Sequence, residues 1–359
     1  MTALSAGLVA TLTAIAVPAG AVPVPVKQAP EAVCRVTDKR LVEISGLVAD
    51  GSGYVVVNDG ADEESGRRIF FLNRSCKVVR AVPYPASPRD TEDLARAADG
   101  TLWVGDIGDN GQNRDNVGVW RLAPGARAPK LFRMSYPDGP HDAEALLVAG
   151  NGTPVVVTKD PLTAGVYVPD GPLQEGRTTP LRRAGAFRIP LSGTGNPFGF
   201  RGRLVVTGGA VSPDGRRVLL RTYADAFEFD VPADGTTADG VVRAITGGTP
   251  RTVALPDEPQ GESITYTADG TALLTVSEVT ETAADIALLR YPLPEAPAPT
   301  PAVSSEAYTS SLSVSETARG SAAPEKRIPT GAVVAGLTLA VAAAAVGVVV
   351  ARRRRNHGS

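Results

Sequence analysis

The sequence predicts an all-β protein, a β-propeller of five blades followed by a single C-terminal transmembrane helix. Three observations predict this fold: a β-hairpin pattern recurs five times, the repeats lie about fifty residues apart, and the 359 residues include 38 Gly and 30 Pro, as a turn-rich β-protein requires. Each pattern has a short apolar segment, a tight turn such as Asp-Gly, and a β-branched run that often ends on an acid. The five patterns occupy residues 43–59, 90–106, 142–160, 207–223 and 260–278.

The spacing of the repeats indicates the number of blades. Aligned on Leu47, Leu94, Leu146, Val211 and Ile264, successive repeats are 47, 52, 65 and 53 residues apart. These spacings lie within or a little beyond the length of a propeller blade. The interval of 65 residues leaves room for a degenerate sixth blade, so a six-bladed ring remains open.

Two further strand-like segments follow each of the first four hairpins, as a four-stranded blade requires. They are residues 69–72 and 77–82, 118–122 and 130–134, 165–168 and 185–189, and 226–229 and 252–255. The fifth repeat supplies residues 286–290 and then becomes rich in Pro and Ala, so its outermost strand is missing. We expect residues 33–37 to fill that place and close the ring, because closure removes an exposed edge. The propeller then spans residues 33–293.

Two cysteines, Cys34 and Cys76, both lie in the predicted propeller. An even number of cysteines in an exported chain is most simply one disulfide. Cys34 belongs to the closing strand and Cys76 precedes the outer strand of the first blade, so the bond would clamp the seam of the ring. The alternative is a pair of unrelated buried thiols.

The two ends of the chain predict its location. Residues 1–21 contain an uncharged apolar stretch and then Ala-Gly-Ala, the pattern of a cleaved signal peptide, with an uncleaved membrane helix as the alternative. Residues 294–328, rich in Pro, Ala, Ser and Thr, predict an extended stalk. The uncharged residues 330–351 are long enough to cross a bilayer, and the basic tail 352–359 should stay cytoplasmic. We therefore expect a single-pass membrane protein with the propeller outside.

Charge excludes nucleic acid as a partner. Apart from the four arginines that follow the apolar segment, the chain has 32 basic residues against 38 acidic ones, a formal charge of −6. A domain with that balance and no basic stripe has no electrostatic reason to bind nucleic acid.

Acidic residues recur at the start of the inner strands. Glu92, Glu144 and Glu262 share one alignment column, and Asp90 and Asp142 lie two residues earlier in their repeats. Because alternate residues of a strand share a face, these acids should surround the central channel, where they repel one another unless a cation lies between them. Calcium, which prefers several oxygen ligands, would satisfy this arrangement. In the alternative, each glutamate accepts hydrogen bonds from backbone amides or pairs with a local arginine.

A second group of oxygen ligands lies in residues 105–115, after the second hairpin. Three aspartates, two asparagines and three glycines occur there, and Asp106 and Asp109 are the candidate metal ligands. The spacing is not that of an EF-hand. Asp and Asn in Gly-rich segments are also ordinary turn formers, and that alternative stays open.

These motifs resemble those of exported bacterial β-propellers described as phytase-like or esterase-like. The resemblance rests on residues 90–94, 105–114, 141–146 and 260–264, and its most specific part is the Gly-Asp-Ile-Gly-Asp-Asn run at 105–110. It implies the propeller fold more strongly than an activity. Repeat four departs from the pattern, with Gly208 and Gly209 where other repeats have an acid. The hairpin motifs also lack the basic residues that a phosphate-rich substrate would require.

Other catalytic motifs are absent from the sequence. The two histidines are His141 and His357, and no nucleophile elbow, dinucleotide motif or P-loop occurs. Two functions therefore remain. The first is a cell-surface module that binds or scaffolds an extracellular ligand or cell-envelope component. The alternative is a metal-dependent hydrolase of a phosphoester, ester or lactone that uses the channel carboxylates.

Overall fold

β-Strands form nearly all the regular structure in the residues that the computed structural model describes: 30–61, 63–233, 235–255, 258–278 and 286–293. Within these ranges there are twenty strands, one α-helix and one 3₁₀ turn. All of them belong to one compact unit, Met1–Pro297. The predicted all-β class is confirmed for this part of the chain.

Consecutive strands pair into antiparallel units of four, which have the order of propeller blades. The first sheet contains β2 (Ile44–Asp50), β3 (Gly53–Asn58), β4 (Arg68–Asn73) and β5 (Val78–Pro83). Another contains β14 (Gly208–Val211), β15 (Arg217–Arg221), β16 (Asp225–Asp230) and β17 (Arg251–Ala254).

Two more such units are joined into one eight-stranded sheet. The first comprises β6 (Asp93–Arg96), β7 (Leu102–Asp106), β8 (Val117–Leu122) and β9 (Lys130–Ser135). The second comprises β10 (Ala143–Val148), β11 (Pro154–Thr158), β12 (Thr163–Pro169) and β13 (Thr178–Arg188). They meet where the outermost strands β9 and β13 pair in parallel over three residues. The long interval between repeats three and four thus holds an 11-residue β13 and a connecting loop, and the described residues there contain no additional sheet.

The last sheet is completed by the start of the chain. It contains β18 (Gly261–Tyr266), β19 (Ala272–Ser277), β20 (Ile286–Pro292) and β1 (Glu31–Val36), with β1 antiparallel to β20. The Cys34–Cys76 disulfide joins β1 to the turn between β4 and β5, with the Cα atoms 5.8 Å apart. The predicted closing strand and disulfide are therefore both present, and the bond links the last sheet to the first.

The inner hairpins turn where the sequence predicts. Asp50, Asp99, Asp214 and Asp269 each accept a backbone N–H from the residue two positions later, and Asn151 does the same in the third hairpin. These Asx turns reverse the chain within two residues. In the last two hairpins the following Gly215 and Gly270 both have φ of +68°, a left-handed conformation that favours glycine.

Apolar side chains fill the space between each pair of consecutive sheets. Five such clusters exist among the described residues, and the one containing Leu47, Val56, Leu274 and Leu288 joins the last sheet to the first. Fully burying one such side chain stabilises the fold by roughly 1.5–3 kcal/mol. The inner strands follow one another around the ring in the order β2, β6, β10, β14, β18 and again β2, a propeller-like arrangement with a central channel.

The helix α1 (Ala238–Gly247) belongs to the oversized fourth repeat. It begins at Thr237, whose side-chain oxygen accepts the N–H of Gly240, and it buries Val241 and Ile245 in the cluster between the third and fourth blades. No helix in the described ranges is long and apolar enough to span a bilayer. The predicted signal peptide 1–21, the stalk 294–328, the transmembrane segment 330–351 and the tail 352–359 lie outside the described residues.

Candidate metal centre

Each inner hairpin can bring two positions to one edge of the ring: the start of its first strand and the end of its second. In three blades a backbone N–H after the second strand donates to a carbonyl before the first: Asp59 to Glu43 at 2.7 Å, Lys159 to Asp142 at 2.9 Å, and Glu278 to Gln260 at 2.9 Å. These hydrogen bonds extend each of the three hairpins by one pair of residues. They place charged side chains from different blades at the same mouth of the channel.

The predicted glutamate column lies at irregular positions of the inner strands. The pairings of β2 with β3, β10 with β11 and β18 with β19 each carry a bulge, at Ser45, Glu144 and Glu262 respectively. Glu92 immediately precedes β6, and its N–H donates to the carbonyl of Gly105 at 2.8 Å. A bulge changes the direction in which a side chain leaves its strand. The repeated irregularity therefore gives the glutamates their common place at the channel.

Among the residues that the structure describes, seven carboxylates form three overlapping groups at this mouth. The groups are Asp59, Asp90 and Glu92; Asp59, Glu262 and Glu278; and Glu92, Asp142 and Glu144, and in each the carboxylate oxygens lie within 4.8 Å of one another. Asp59 belongs to two groups, as does Glu92. The three groups therefore form one continuous acidic cluster, which we call the carboxylate ring.

Four members of the ring, Asp59, Glu92, Glu144 and Glu262, carry a buried oxygen that accepts no hydrogen bond, and Glu92 is the one in which both oxygens lack a partner. Glu92 is 1 % exposed and neither of its carboxylate oxygens has a partner. In Glu144, which is 2 % exposed, Oε1 pairs with Nζ of Lys159 while Oε2 has no partner. A buried acceptor without a partner is costly, so such groups usually mark an ion, a water or a proton. The unpartnered oxygens fit a bound cation.

The other side of the ring is hydrogen-bonded. The hydroxyl of Tyr223 donates to Oε1 of Glu262 at 3.0 Å, and the side-chain amide of Gln260 donates to Glu278. A carboxylate oxygen of Glu278 lies within 4.8 Å of one of Glu262. On this side each of the two glutamates accepts one hydrogen bond from a neutral donor, while Oε2 of Glu262 has no partner.

Burial raises the pKa of several ring carboxyls. It is the largest cause for Glu92 and Asp59, whose pKa values lie well above the usual range, and neighbouring carboxylates raise them further. Burial, with repulsion from neighbouring acids, also raises the pKa of Glu278 to about 11. Burial raises the pKa of Glu144 to about 8, although the charge of Lys159 opposes the shift. A cation in the ring would favour the ionised forms of all these groups.

Two glycines close off the ring from the side. A Cβ built on Gly108 would overlap Oε1 of Glu92 and lie 2.6 Å from Oδ2 of Asp90. A Cβ on Gly60 would lie 2.7 Å from Oδ1 of Asp90. A methyl group at either point would have to displace a ring carboxylate, because the backbone lies directly against these side chains.

Asp106 and Asp109, the two loop aspartates predicted as ligands, lie outside the three groups. Asp106 is 3 % exposed and its carboxylate accepts from Nη2 of Arg114 at 2.9 Å and from the indole N–H of Trp120 at 3.2 Å, besides backbone N–H groups. Asp109 accepts the backbone N–H of Asn113 and of Arg114. These bonds shape the loop and hold Gly108 against the ring.

The fourth blade contributes no acid to the inner column because its backbone approaches its neighbours too closely. A Cβ on Gly208 would overlap the carbonyl oxygen of Glu262, and a Cβ on Gly209 would lie 2.9 Å from the carbonyl oxygen of Leu219. Instead this blade supplies Tyr223, which follows β15.

The structure thus brings together five predicted ligands: Glu92, Glu144, Glu262, Asp90 and Asp142. Sequence reasoning missed Asp59, Glu278, Lys159 and Tyr223. The first two were visible as the acids that end a hairpin pattern, and Lys159 occupies the equivalent position in the third repeat. Tyr223 carried no comparable signal, because its role depends on contact with another blade.

His141 lies beside the ring but makes its own contacts. Its Nε2 is 3.1 Å from Oδ1 of Asp138 and 3.0 Å from the hydroxyl of Tyr167. Tyr136 packs edge-on against the imidazole of His141 and the aromatic ring of Tyr167. Tyr167 also donates to Asp138 at 2.8 Å. These bonds give His141 a place in a local polar and aromatic cluster.

A cavity of about 560 Å³ opens at the opposite end of the channel. Its lining includes Val48, Leu94, Val148, Val211 and Thr265, one residue from each inner strand, together with hairpin-turn residues. The cavity and the carboxylate ring therefore occupy different ends of the inner strands.

No protein-family model and no curated protein matches the chain. Among solved structures it is similar to a gluconolactonase of Xanthomonas campestris, with 15 % identity over 70 % of this chain and 72 % of that one and a TM-score of 0.37. It is also similar to virginiamycin B lyase of Staphylococcus aureus, with 12 % identity over 72 % and 98 % and a TM-score of 0.37. A luciferin-regenerating enzyme gives 12 % identity over 70 % and 78 % and a TM-score of 0.39. Likenesses this distant carry no argument about activity, and the resemblance to phytase-like or esterase-like propellers stays a prediction.

Proposed function

We propose that this chain is a five-bladed propeller whose carboxylate ring binds a divalent cation, calcium by preference, and that it hydrolyses an uncharged ester or lactone. The observation that carries the proposal is Glu92, which is 1 % exposed, has two unpartnered carboxylate oxygens, and is surrounded by other acids. Carboxylate oxygens are the ligands that calcium favours, and a ring of several suits its high coordination number.

Within the ring the cation has one preferred place. Lys159 pairs with Glu144, and Tyr223 donates to Glu262. In the described part of the chain, no ion pair joins a lysine or an arginine to Asp59, Asp90 or Glu92. We infer that these three residues hold the cation. When bound, a divalent cation polarises a substrate carbonyl and lowers the pKa of bound water.

The charge of the site selects among the three hydrolase classes. Seven carboxylates surround the mouth, and one lysine is paired with them. A phosphoester would bring further negative charge towards this ring, and repulsion would oppose its approach. An ester or a lactone carries no charge at the reacting carbonyl, so it avoids that penalty.

Metal analysis and hydrolysis together test the proposal. The purified full-length protein should contain a divalent cation by elemental analysis and hydrolyse some members of a panel of esters and lactones. A chelator should abolish this activity and calcium should restore it. Glu92→Gln should lose both the metal and the activity, whereas Glu175→Gln, a change at a 60 % exposed surface carboxylate, should lose neither. A protein that carries no cation and shows no chelator response would contradict the proposal.

The binding or scaffolding module is the competing function, with calcium in a purely structural role. It predicts bound metal and a chelator-sensitive fold without turnover of any ester.

The cell-surface location also remains a prediction, because residues 1–21 and 294–359 lie outside the described part of the chain. Protease added to intact cells should release a soluble fragment cut within the stalk. A propeller found only in the cytoplasm would refute the predicted topology.

A further inference from the structure

Four exposed apolar side chains lie in the loop between β13 and β14 or, at Leu162, on the backbone that is hydrogen-bonded to both ends of that loop. Large apolar side chains are exposed at Leu162, Leu191, Phe198 and Phe200, by 49, 68, 43 and 61 % respectively. The other exposed large apolar residues of the described chain are Val33, Val42 and Val79, near the seam of the first and last sheets. We call the group of four the apolar lip. Isolated exposed apolar residues need no explanation, but a cluster beside a polar site often marks a binding surface.

A short chain of contacts connects the lip to the ring. The ring of Phe198 packs on that of Tyr223 with centroids 4.4 Å apart, and the hydroxyl of Tyr223 donates to Glu262 at 3.0 Å. Nζ of Lys159 lies 6.0 Å from the centroid of the Tyr223 ring. Tyr223 therefore contacts both Phe198 of the lip and Glu262 of the carboxylate ring.

The loop that carries the aromatic residues is held in place by the buried carboxylate of Asp225 and by the half-buried Arg203. The carboxylate of Asp225, 1 % exposed, accepts the hydroxyls of Ser192 and Thr194. The guanidinium of Arg203 donates to the carbonyl oxygens of Thr194 at 2.7 Å and of Ser192 at 3.4 Å. The exposed phenylalanines thus project from a braced loop, which reduces the entropy that a ligand would lose on binding.

A backbone feature at Leu162 supports the same conclusion. This residue has φ of +67°, a left-handed conformation that is uncommon for a bulky side chain. Its N–H donates to Leu204 at 2.8 Å and its carbonyl accepts the N–H of Ile189 at 3.0 Å, so both ends of the loop hold it there. Such backbone conformations cluster at ligand sites, where surrounding structure maintains them.

We propose that the apolar lip binds the apolar chain of the substrate, so that the hydrolase acts on esters or lactones bearing an alkyl or aryl group of several carbons. This rests on the proposed function, because it assigns a subsite to the same reaction. Full burial of one methylene group of a ligand raises the affinity of that ligand by up to about fourfold. On an open lip we expect a five-carbon chain to gain roughly tenfold in total.

Binding of lactams tests the lip without requiring turnover. δ-Valerolactam and the same ring bearing a pentyl chain imitate lactones but resist hydrolysis, and calorimetry on the full-length protein with calcium would compare them. The pentyl compound should bind about tenfold more tightly to the wild type. Leu191→Ser with Phe200→Ser should reduce that ratio to near one. Val79→Ser is the matched control, because Val79 is 66 % exposed on β5, and it should leave the ratio unchanged.

The outcomes separate the subsite from the proposed function. Equal binding of the two lactams by the wild type, or an unchanged ratio in the double variant, overturns the lip even if short lactones are hydrolysed with calcium. A loss of self-association in the double variant, measured by sedimentation, with an unchanged ratio would also overturn it, since the lip would then be a contact between copies. Absence of bound metal and of turnover refutes the hydrolase, whatever the lactams show. In the corresponding kinetic assay, kcat/KM should favour the pentyl-bearing lactone by about the same factor.

Discussion

The cation-free protein should lose stability as the pH rises from 5 to 8, and calcium should restore it. Burial of Glu144, opposed in part by Lys159, raises its pKa from 4.5 to about 8. An acid whose pKa is higher in the folded state contributes its full stability below its unfolded pKa. That contribution is lost as the pH rises through the folded pKa, because the unfolded chain ionises first.

The size of the effect follows from this one group. Each pKa unit corresponds to about 1.36 kcal/mol. A shift from 4.5 to about 8 therefore removes roughly 4 kcal/mol from the free energy of unfolding by pH 8. For a domain of this size, 1 kcal/mol changes Tm by roughly 2–4 °C, so Tm should fall by about 10 °C. The raised pKa values of Glu92 and Asp59 act in the same direction.

Thermal unfolding between pH 5 and pH 8, with chelator and with calcium, measures this effect. A hundredfold excess of calcium over its Kd should add about 2.7 kcal/mol at pH 8, and much less at pH 5, where protons occupy the ring. Glu92→Gln should be more stable than the wild type at pH 8 with chelator, because it removes a buried charge, and less stable than the wild type with calcium.

The sign of the Glu92→Gln effect makes the test decisive. If the glutamate were only a structural hydrogen-bond acceptor, the variant would be destabilised with chelator and with calcium alike. Glu175→Gln should follow the wild type throughout. A wild type that melts at the same temperature at pH 5 and pH 8 with chelator would refute the argument from buried carboxylates.

Three further changes test other parts of the structure. Replacing Cys34 and Cys76 together by serine should lower the free energy of unfolding by about 4 kcal/mol in urea titrations, because the disulfide closes a loop across 42 residues; free thiols in the purified protein by mass spectrometry would contradict the bond. Gly108→Ala should weaken calcium binding at least tenfold by calorimetry because the added methyl group would overlap a ring carboxylate, whereas Gly51→Ala, where a Cβ meets nothing within 4 Å, should bind normally. Arg221→Met should lower the free energy of unfolding by roughly 3–5 kcal/mol, because it leaves the buried Glu258 without its cationic partner. A loss below 1 kcal/mol in urea titrations would show that the ion pair is dispensable.

The parts of the fold that local chemistry determines could be predicted from sequence. Asp-Gly turns produce hairpins through bonds between neighbouring residues, and the closing strand follows from counting strands in the last repeat. The disulfide follows from the same count, because it places Cys34 and Cys76 on either side of the seam. None of these inferences needs the distance between remote side chains.

The loop at 105–115 shows why the ligand set could not be predicted completely. Asp and Asn are suited both to binding calcium and to forming turns, so composition leaves both roles open. The role of Asp106 depends on Arg114 and on the indole of Trp120, which lies on the next strand. In the same way, Asp59 reaches the ring only because its backbone pairs with Glu43 across the hairpin.

The differences between the repeats decide where a cation can bind. Five identical acidic blades would place equal charges around the axis, so a cation would lie on the axis and favour no one blade. Here the third blade supplies Lys159 and the fourth supplies Tyr223, and both partners lie on the side of Glu144 and Glu262. Glu92 is left with two unpartnered oxygens. Because Glu144 and Glu262 each have one partnered oxygen and Glu92 has none, the electrostatic field should draw the cation off the axis towards the first and second blades.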